Sequence, residues 1–450
     1  MKLAILGGGG FRVPLVYGAL LRDTSDHRVE EVTLHDVDTG RLAAIEHVLT
    51  QMAAAARPGL PPPAVQTTTD LDHAVRDADF VFSAIRVGGL TGRTADERVA
   101  LDLGVLGQET TGPGGLAYGL RTVPVAVEVA QRVRVLAPDA WVINFTNPAG
   151  MITEAMQTVL GPRVIGICDS PIGLGRRAAR ALGLDPTRTS FGYAGLNHLG
   201  WLRTLTHDGV DVLPQLLADP DRLLHTEEGR LFGPEWLGTL GAIPNEYLYY
   251  FYSTREALVA ITGSAETRGE YLLGQQQGFY AEVAARPAAA YSAWQRVRHE
   301  RDASYMRESR DTGEERDPAD VAGGGYEGVA LAIMGAIARN ERVAMLLNVC
   351  NGTTLAGLPA EAVVEVPCTV DADGAHPLAA APLTGHPLGL VLQVKAVEQL
   401  VIEAATTRSV ERAVEAFALH PLVDSVAVGR QLLAGYRERI PEVDALFKRS

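Results

Sequence analysis

Short hydrophobic runs alternate with longer amphipathic segments through the first 170 residues of the chain. The runs that predict strands are Lys2–Leu6, Val29–Leu34, Ala64–Thr69, Ala78–Ala84, Trp141–Asn144 and Val164–Ile167. Between them apolar residues recur with helical spacing, as over Val13–Leu21 and Thr39–Ala56. Strands that alternate with helices at this spacing form right-handed crossovers and a mostly parallel sheet. The pattern therefore predicts the α/β class.

The first predicted strand runs directly into four consecutive glycines, and a helix with Pro14 in its first turn follows. A buried strand, a glycine turn and a helix in this order present a helix N-terminus to a diphosphate. The third glycine of the G-x-G-x-x-G pattern is missing, because Arg12 or Val13 stands at its position. A tight turn without a ligand is therefore the alternative. The order predicts a Rossmann-like dinucleotide-binding domain, in which the cofactor contacts are Gly7, Gly8, Gly9, Gly10 and Phe11.

The second predicted strand closes on a pair of carboxylates, Asp36 and Asp38. A carboxylate at this strand end accepts both ribose hydroxyls of an adenosine and repels a 2′-phosphate. We therefore expect NAD rather than NADP, with Asp36 as the ribose ligand. An ordinary strand-end cap or turn residue is the alternative for Asp36.

The periodic pattern loosens beyond Leu182, and helical segments dominate the rest of the chain. We expect a strand at Ser190–Gly195, a charged stretch over Arg296–Asp320, helices at Gly324–Ala338 and Val391–Ala416, and a loop at Asp371–Pro387. The second half is thus predicted to be a helix-rich α+β domain. The expected division is a Rossmann-like domain over 1–195 and a substrate, metal and oligomerisation domain over 196–450.

The composition of the chain indicates which binding partners and which cellular compartment to expect. The formal net charge of the 450 residues is −14, which argues against a nucleic-acid surface. Three cysteines, Cys168, Cys350 and Cys368, are too few for a disulfide framework and suit a reducing cytoplasm. We expect no signal peptide, because only a few apolar residues precede the glycines, and no run reaches the roughly 20 that a membrane span needs.

Polar residues follow several of the predicted strands, at the edge where such sheets bind ligands. They are Arg86, Asn144, Asn147, Cys168 and Asp169. The connection from Arg86 to Gly115 is rich in glycine and charge, and is too elaborate for a plain crossover. We expect it to be a functional loop, with solvated ion pairs as the alternative for any single arginine.

Cys168 and His198 each follow a predicted strand. A thiolate and an imidazole at two strand ends form half of a divalent-metal site and leave positions for substrate oxygens and water. The alternatives are a packed small side chain for Cys168 and a backbone-bonded side chain for His198.

Four tyrosines lie within NEYLYYFYS: Tyr247, Tyr249, Tyr250 and Tyr252. Core aromatics are the default interpretation. One of them becomes a general base if a metal ion and an arginine lower its pKa from about 10. Arg268 suits the binding of an anionic group, with a surface ion pair as its alternative.

Eight motifs follow one another along the chain in the order GGGGFRVP, IRVGG with a later Arg and Asp-Glu, GQETTGPGG with LRTVPV, NFTNPAG, CDSPIG, GLNHLGW, PNEYLYYFY and TRGE. Together with NVCNG at Asn348–Gly352 and VEVP at Val364–Pro367, they extend almost from end to end. In this order they resemble the NAD- and manganese-dependent glycoside hydrolases of family 4. That family includes 6-phospho-β-glucosidases, 6-phospho-α-glucosidases and α-galactosidases.

The resemblance implies a fold close to the lactate and malate dehydrogenases, a hydrolytic net reaction, a phosphorylated glycoside as substrate and a homodimer or homotetramer. It implies that Cys168 and His198 hold Mn²⁺. The positions that fall on the family's substrate contacts are Arg93, Asn147, Asn197 and Arg268. Asp169 falls on the general acid of the α-glucosidase branch, and Tyr247 on the general base, with Tyr249 and Tyr250 as alternatives.

The implied mechanism differs from the usual two-carboxylate scheme. NAD⁺ takes a hydride from C3 of the sugar, the metal polarises the new ketone, and Tyr247 removes the C2 proton. The leaving group departs from C1, water adds and the hydride returns. NAD⁺ is thus a bound catalyst.

Two departures from the family pattern affect specificity. Gly10 stands where members commonly carry Ser, so Arg12 is the candidate for the lost phosphate contact. The motif Cys-Asp-Ser-Pro at 168–171 is similar to the α-glucosidase branch, whereas PNEYLYYFY is similar to the phospho-β-glucosidases. We favour a 6-phospho-β-glucosidase. If Asp169 does not act as the general acid on a β-glycoside, its expected role is to orient the groups around the metal ion. The alternatives are a 6-phospho-α-glucosidase, an α-galactosidase, a 2-hydroxy-acid dehydrogenase and a non-catalytic NAD-binding regulator.

Overall fold

The computed structural model describes residues 1–56, 60–303 and 325–448. Its strands are β1 Lys2–Leu6, β2 Glu31–His35, β3 Ala64–Thr68, β4 Phe80–Ser83, β5 Trp141–Asn144, β6 Val164–Gly166, β7 Thr189–Leu196, β8 Leu199–His207, β9 Val210–Asp211, β10 Ile243–Pro244, β11 Val343–Cys350, β12 Val363–Asp371 and β13 Gly374–Pro377.

The α-helices of these residues are Val13–Leu20, Thr39–Ala55, Leu71–Val75, Gly89–Asp102, Pro113–Leu136, Ala149–Leu160, Ser170–Ala181, Leu213–Leu217, Pro220–Leu223, Glu227–Phe232, Pro234–Leu240, Tyr249–Tyr252, Thr254–Gly263, Arg268–Ala285, Ala290–Ala303, Tyr326–Arg339, Gly385–Thr407, Val410–Leu419, Val426–Arg439 and Pro441–Phe447. Single 3₁₀ turns occur at Gly161–Arg163, Pro186–Arg188, Glu246–Leu248 and Pro287–Ala289.

The first six strands form a parallel sheet in the order β3-β2-β1-β4-β5-β6. This is the order of dinucleotide-binding folds, in which the direction of winding reverses between β1 and β4. The predicted α/β class and Rossmann-like domain are therefore confirmed. The carboxyl ends of β1 and β4 lie side by side at the reversal, where such sheets bind ligands.

The strands that follow β6 extend the same sheet in antiparallel pairs. β11 pairs with β6, β12 with β11, β7 with β12, and β8 with β7. Because β7 and β8 are joined only by Asn197 and His198, their hairpin tip is a two-residue turn. The division at residue 195 stays a prediction.

Alternate residues of the sheet face two separate hydrophobic layers. In β1, Leu3 and Ile5 pack with the helices Val13–Leu20 and Thr39–Ala55, whereas Ala4 and Leu6 pack on the opposite side. The first layer also takes in Ala290–Ala303 and Tyr326–Arg339 from the second half of the chain. The second half therefore covers the dinucleotide-type sheet as well as extending it.

The glycine-rich connection after Arg86 is not the long loop that its composition predicts. A helix occupies Gly89–Asp102 and another begins at Pro113, so the part without regular structure before that proline is short. Gly88, at φ 77°, lies in the left-handed region and turns the chain into the first of these helices. Buried ion pairs hold this helix in place: Asp96 receives two hydrogen bonds of 2.7 Å from Arg121.

Two expectations for the C-terminal part were also wrong. The expected loop at Asp371–Pro387 contains the hairpin strand β13, which begins at Gly374, where φ is 101°, after a turn at Ala372 and Asp373. The helical pattern expected over Val391–Ala416 is broken by Arg408, which has a positive φ of 57°. Ser409 then caps the next helix through the backbone N–H of Arg412. Of the charged stretch Arg296–Asp320, residues 304–320 lie outside the described residues.

A buried lysine ties three elements together below the sheet. Lys395 donates to Glu154 Oε2 at 2.8 Å and also pairs with Glu398 at 2.6 Å. Glu154 Oε2 in turn accepts the backbone N–H of Val363 in β12 at 2.9 Å. Only 1% of Lys395 is exposed, so its charge has no access to water.

Replacing Lys395 with Met leaves two carboxylates buried without their cation. We expect the free energy of unfolding to fall by about 3–5 kcal/mol, measured by urea denaturation. The control is Arg412→Met, which removes exposed ion pairs to Glu403 and Glu415 and should lower the free energy of unfolding far less, because water screens these pairs. Equal losses in the two variants would contradict this account.

Candidate functional site

A cavity of about 370 Å³ opens at the carboxyl ends of β1, β4, β5 and β6. The predicted site residues that line it are Gly7, Gly10, Phe11, Arg93, Asn147, Cys168, Asp169, Asn197, His198, Tyr247 and Arg268. Gly8, Gly9, Asp36 and Tyr249 are not part of its wall, whereas Tyr250 is. Residues that the sequence separates by up to 261 positions thus share one surface.

The glycine turn is wedged between the ends of neighbouring strands. Gly7 has φ 80°, and a Cβ there would lie 2.5 Å from the carbonyl oxygen of Ala84 after β4. A Cβ on Gly8 would lie 2.7 Å from the Cβ of Leu34 in β2. Only glycine fits at these two positions, and Gly7 and Gly10 of the same turn line the cavity.

Asp36 supports this turn directly. Its Oδ2 accepts the backbone N–H of Gly9 at 3.0 Å, and its Oδ1 accepts that of Asp38 at 3.1 Å. These are the contacts of a strand-end cap. The role of Asp36 as a ribose ligand stays a prediction, and the hydrogen bonds fix where its carboxylate lies.

Three aromatic side chains from the second half hold the carbonyl groups of the turn. Tyr280 donates to the oxygen of Gly9 at 2.6 Å, Trp294 to that of Phe11 at 2.8 Å, and Tyr326 to that of Arg12 at 2.9 Å. Sequence reasoning missed these residues, since a single aromatic residue within a helix carries no local signal of such a contact. They fix the turn from the side opposite its own sheet.

Cys168 follows β6 and is 6% exposed. Burial raises the pKa of its thiol well above the usual value, and the neighbouring carboxyls of Glu365 and Asp169 act in the same direction. A thiol in this setting gives up its proton when a cation binds beside it. The role of Cys168 as a metal ligand stays a prediction, with a packed cysteine as its alternative.

His198 occupies the hairpin tip between β7 and β8 with φ 61°. Burial lowers its pKa to about 4, so the ring is neutral at neutral pH. Its Nδ1 lies 3.0 Å from the Oγ1 of Thr110. A neutral imidazole with one nitrogen engaged is the form that ligates metal ions.

The donor set fits a divalent cation only as a partial site. Among the described residues, no group of three or more His, Cys, Asp and Glu side chains is placed to hold a metal ion. Cys168 and His198 supply one sulfur and one nitrogen on the same wall, so water or ligand oxygens would complete the coordination.

Tyr247 stacks face to face on His198. The ring centroids are 3.6 Å apart and the planes differ by 7°. The backbone N–H of Tyr247 donates to Asn245 Oδ1 at 3.1 Å, which fixes the start of the short turn that carries it. Tyr252 instead accepts a 3.0 Å hydrogen bond from Trp201, away from the site. Tyr247 therefore contacts one predicted metal ligand, His198, and its role as the base stays a prediction, as does the alternative Tyr250 on the same cavity wall.

Arginines dominate the charge of the cavity. Among the described residues, ten arginines and five carboxylates line it, although the whole chain carries −14. Glu109 pairs with both Arg86 and Arg93, and Arg93 also binds Glu97 at 2.9 Å. Burial acts to raise the pKa of Glu109, but these guanidiniums outweigh it and lower the pKa to about 2. Arg93 thus makes ion pairs, but they are buried in the cavity and are not the solvated pairs of the alternative.

Arg301 adds a further positive charge from the helix Ala290–Ala303. Its pKa lies well below the usual value because of burial and of the guanidiniums of Arg12, Arg268 and Arg93. Its backbone oxygen also accepts a 3.3 Å hydrogen bond from Arg268. Mutual repulsion of this kind is relieved by an anion. Sequence reasoning noted only that Arg301 belongs to a charged stretch.

Comparison with known proteins assigns the chain to a family. The sequence model "Family 4 glycosyl hydrolase" matches residues 2–184, and "Family 4 glycosyl hydrolase C-terminal domain" matches residues 193–423. The chain belongs to glycosyl hydrolase family 4. The resemblance inferred from its motifs is confirmed.

Relatives of this family 4 chain cover it almost completely. A Bacillus subtilis (strain 168) protein described as a probable 6-phospho-β-glucosidase is 33% identical over 96% of this chain and 95% of its own. The maltose-6′-phosphate glucosidase of the same organism is 28% identical over 96% of this chain and 94% of its own. Both anomeric types of glucosidase therefore occur among the relatives.

A solved structure of similar fold is the 6-phospho-β-glucosidase of Thermotoga maritima with NAD and glucose-6-phosphate. It has a TM-score of 0.80, 27% identity, and coverage of 98% of this chain and 99% of its own. The 6-phospho-α-glucosidase from gut microorganisms in complex with NAD and Mn²⁺ has a TM-score of 0.79, 25% identity and 97% coverage of both chains. In the family 4 chain itself, none of the described helices combines the length and apolar character of a membrane crossing.

Replacing Gly7 with Ala tests the close approach of the glycine turn to the backbone of Ala84. A matched control is Gly209→Ala, since Gly209 also has φ 80° but has open space around it. We expect the control to lose roughly 1–2 kcal/mol of unfolding free energy through backbone strain. Gly7→Ala should lose roughly 1–3 kcal/mol more, because its Cβ meets Ala84. Identical urea midpoints for the two variants would disprove the close approach.

Proposed function

We propose that this family 4 enzyme hydrolyses 6-phospho-glycosides, with 6-phospho-β-glucosides as the preferred class, and that it uses NAD⁺ and Mn²⁺. One observation carries the proposal: a positively charged cavity in an acidic chain contains the glycine turn, the Cys168–His198 pair and Tyr247 together. An arginine-rich wall suits a phosphate dianion, which needs charge and several donors.

The residues present fit both groups. The turn that Gly7 and Gly8 allow is open toward the cavity, and the structural neighbours named above contain NAD. Cys168 and His198 would hold the metal, and one neighbour contains Mn²⁺. When bound, the nicotinamide would supply hydride transfer to and from C3 of the sugar, and the cation would supply a Lewis acid.

The roles of base, acid and substrate binding are assigned to individual side chains. Tyr247 is the proposed base for the C2 proton, since its ring lies against His198 at the metal position. Asp169, next to Cys168 in the chain, is the proposed donor of a proton to the leaving group. Substrate binding is assigned to the predicted contacts Arg93, Asn147, Asn197 and Arg268, with Arg301 and Arg12 added for the phosphate.

The anomer is the finer part of the proposal. The relative at 33% identity and the PNEYLYYFY motif support β-glucosides. The Cys-Asp-Ser-Pro motif and the maltose-6′-phosphate glucosidase support α-glucosides as the second candidate. An α-galactosidase, a 2-hydroxy-acid dehydrogenase and a catalytically silent NAD-binding regulator gain no such support, and the assay below also tests the dehydrogenase.

The reaction is tested with nitrophenyl 6-phospho-β- and α-glucosides in deuterated water. We expect cleavage of the β-glycoside that requires NAD⁺, Mn²⁺ and reducing conditions, with deuterium at C2 of the product. Cys168→Ser should lower the rate by on the order of 100-fold or more, because it removes a metal ligand. The exposed Cys350→Ser is the control and should keep full activity.

Each other outcome points to a different conclusion. Faster cleavage of the α-glycoside would change the preferred anomer from β to α and leave the rest of the proposal intact. A product without deuterium at C2, or hydrolysis that proceeds without NAD⁺, would disprove the proposed chemistry. Net accumulation of NADH with a 2-hydroxy acid would identify a dehydrogenase.

The variant Arg301→Gln tests the proposal that Arg301 binds the phosphate group of the substrate. Loss of one charge-assisted hydrogen bond should raise the KM for the phosphorylated substrate roughly 10- to 100-fold with a smaller change in kcat. The control Arg296→Gln alters the same helix at an exposed residue that pairs with Glu282 and Glu300. An unchanged preference for phosphorylated over unphosphorylated glucoside in Arg301→Gln would reject this role.

A further inference from the structure

The carboxamide of Gln108 organises the segment that precedes the helix Pro113–Leu136. Its Oε1 accepts the backbone N–H groups of Thr110 at 2.6 Å and Thr111 at 2.7 Å. Two backbone donors converge on this atom, so it is the oxygen of the amide and not the nitrogen. Gln108 Oε1 is therefore fixed as an acceptor.

The hydroxyl of Thr110 lies between this oxygen and the ring of His198. Thr110 Oγ1 is 3.2 Å from Gln108 Oε1 and 3.0 Å from His198 Nδ1. A hydroxyl has one hydrogen, and Gln108 Oε1 can only accept it. If that hydrogen points to Gln108, Thr110 can only accept from the ring, so Nδ1 must carry a hydrogen. The opposite assignment would leave two acceptor oxygens facing each other at 3.2 Å.

We propose that Thr110 is a positioning residue that holds His198 in the Nδ1–H tautomer and so leaves the lone pair of Nε2 for the metal ion. This inference rests on the proposed function, because it concerns the histidine that would hold Mn²⁺. The stacked ring of Tyr247 fixes the plane of the imidazole but does not distinguish its two nitrogens. Thr110 supplies that distinction through a directional hydrogen bond.

The segment Gln108–Thr110 also contacts the part of the cavity wall where predicted substrate-binding residues lie. Glu109, between Gln108 and Thr110, binds Arg86 and Arg93. In this segment Thr110 positions His198 of the proposed metal site. The adjacent Glu109 positions Arg93 of the proposed substrate site. A shift of this segment would displace both.

The test uses Thr110→Val, which keeps the shape of the side chain and removes the hydroxyl, and Thr110→Ser, which restores the hydroxyl. The tautomer is measured in metal-free protein from the ¹⁵N shifts of the labelled imidazoles. Loss of one pair of signals in His198→Asn identifies His198 among the eleven histidines. Mn²⁺ affinity is measured separately by electron paramagnetic resonance. The control Thr158→Val removes a hydroxyl that donates to Ala155 near the C-terminal end of the helix Ala149–Leu160, where no residue lines the cavity.

We expect the wild type and Thr110→Ser to show the Nδ1–H tautomer, and Thr110→Val to move the proton wholly or partly to Nε2. Mn²⁺ affinity should fall roughly 10- to 100-fold in Thr110→Val, recover in Thr110→Ser and stay unchanged in Thr158→Val. Wild-type protein that binds Mn²⁺ with the Nε2–H tautomer would overturn the positioning role alone. Wild-type protein with the Nδ1–H tautomer but no Mn²⁺ binding would overturn the proposed metal site and this role with it.

Discussion

The site depends on hydrogen bonds by which the second half of the chain holds the glycine turn of the first. Tyr280, Trp294 and Tyr326 each donate to a carbonyl of that turn. On the other side, Gly7 and Gly8 press against the ends of β4 and β2 so closely that a Cβ would collide. The turn is therefore held on two sides, and its remaining side faces the cavity. A displacement of either half would change the shape of the surface proposed to bind NAD.

Electrostatics explain how a chain with strong acidic excess can still offer a site for an anion. Most of its carboxylates lie elsewhere, while arginines collect around one cavity. Glu109 keeps Arg86 and Arg93 in place by pairing with both. The neighbouring guanidiniums of Arg12, Arg268 and Arg301 repel one another, and a bound anion would relieve this repulsion.

Local patterns were enough to predict the parallel sheet and the gathering of polar residues at its edge. Arg86, Asn147 and Cys168 follow β4, β5 and β6, and parallel strands end at a common edge. The hairpin tip that carries His198 joins them because the antiparallel strands continue the same sheet. Contacts such as that of Tyr326 with Arg12, 314 positions apart, have no local signature and were missed.

The prediction of a long loop after Arg86 failed for a related reason. Glycine and charge are typical of loops, yet the charged residues Asp96 and Glu97 are buried here. Asp96 pairs with Arg121, and Glu97 accepts the N–H of Gly269 at 2.8 Å. Tertiary partners, and not local propensity, stabilise this helix. The same applies to Arg301, whose role depends on which arginines surround it.

The central claim is that a cation binds between Cys168 and His198 within reach of the glycine turn. The most direct measurement is anomalous scattering at the manganese edge from crystals grown with Mn²⁺, NAD⁺ and glucose-6-phosphate. The account predicts one strong peak in the cavity, at roughly 2.0–2.6 Å from both the Sγ of Cys168 and the Nε2 of His198. A peak at another position, or ordered NAD⁺ and sugar phosphate with no peak between these two side chains, would contradict it.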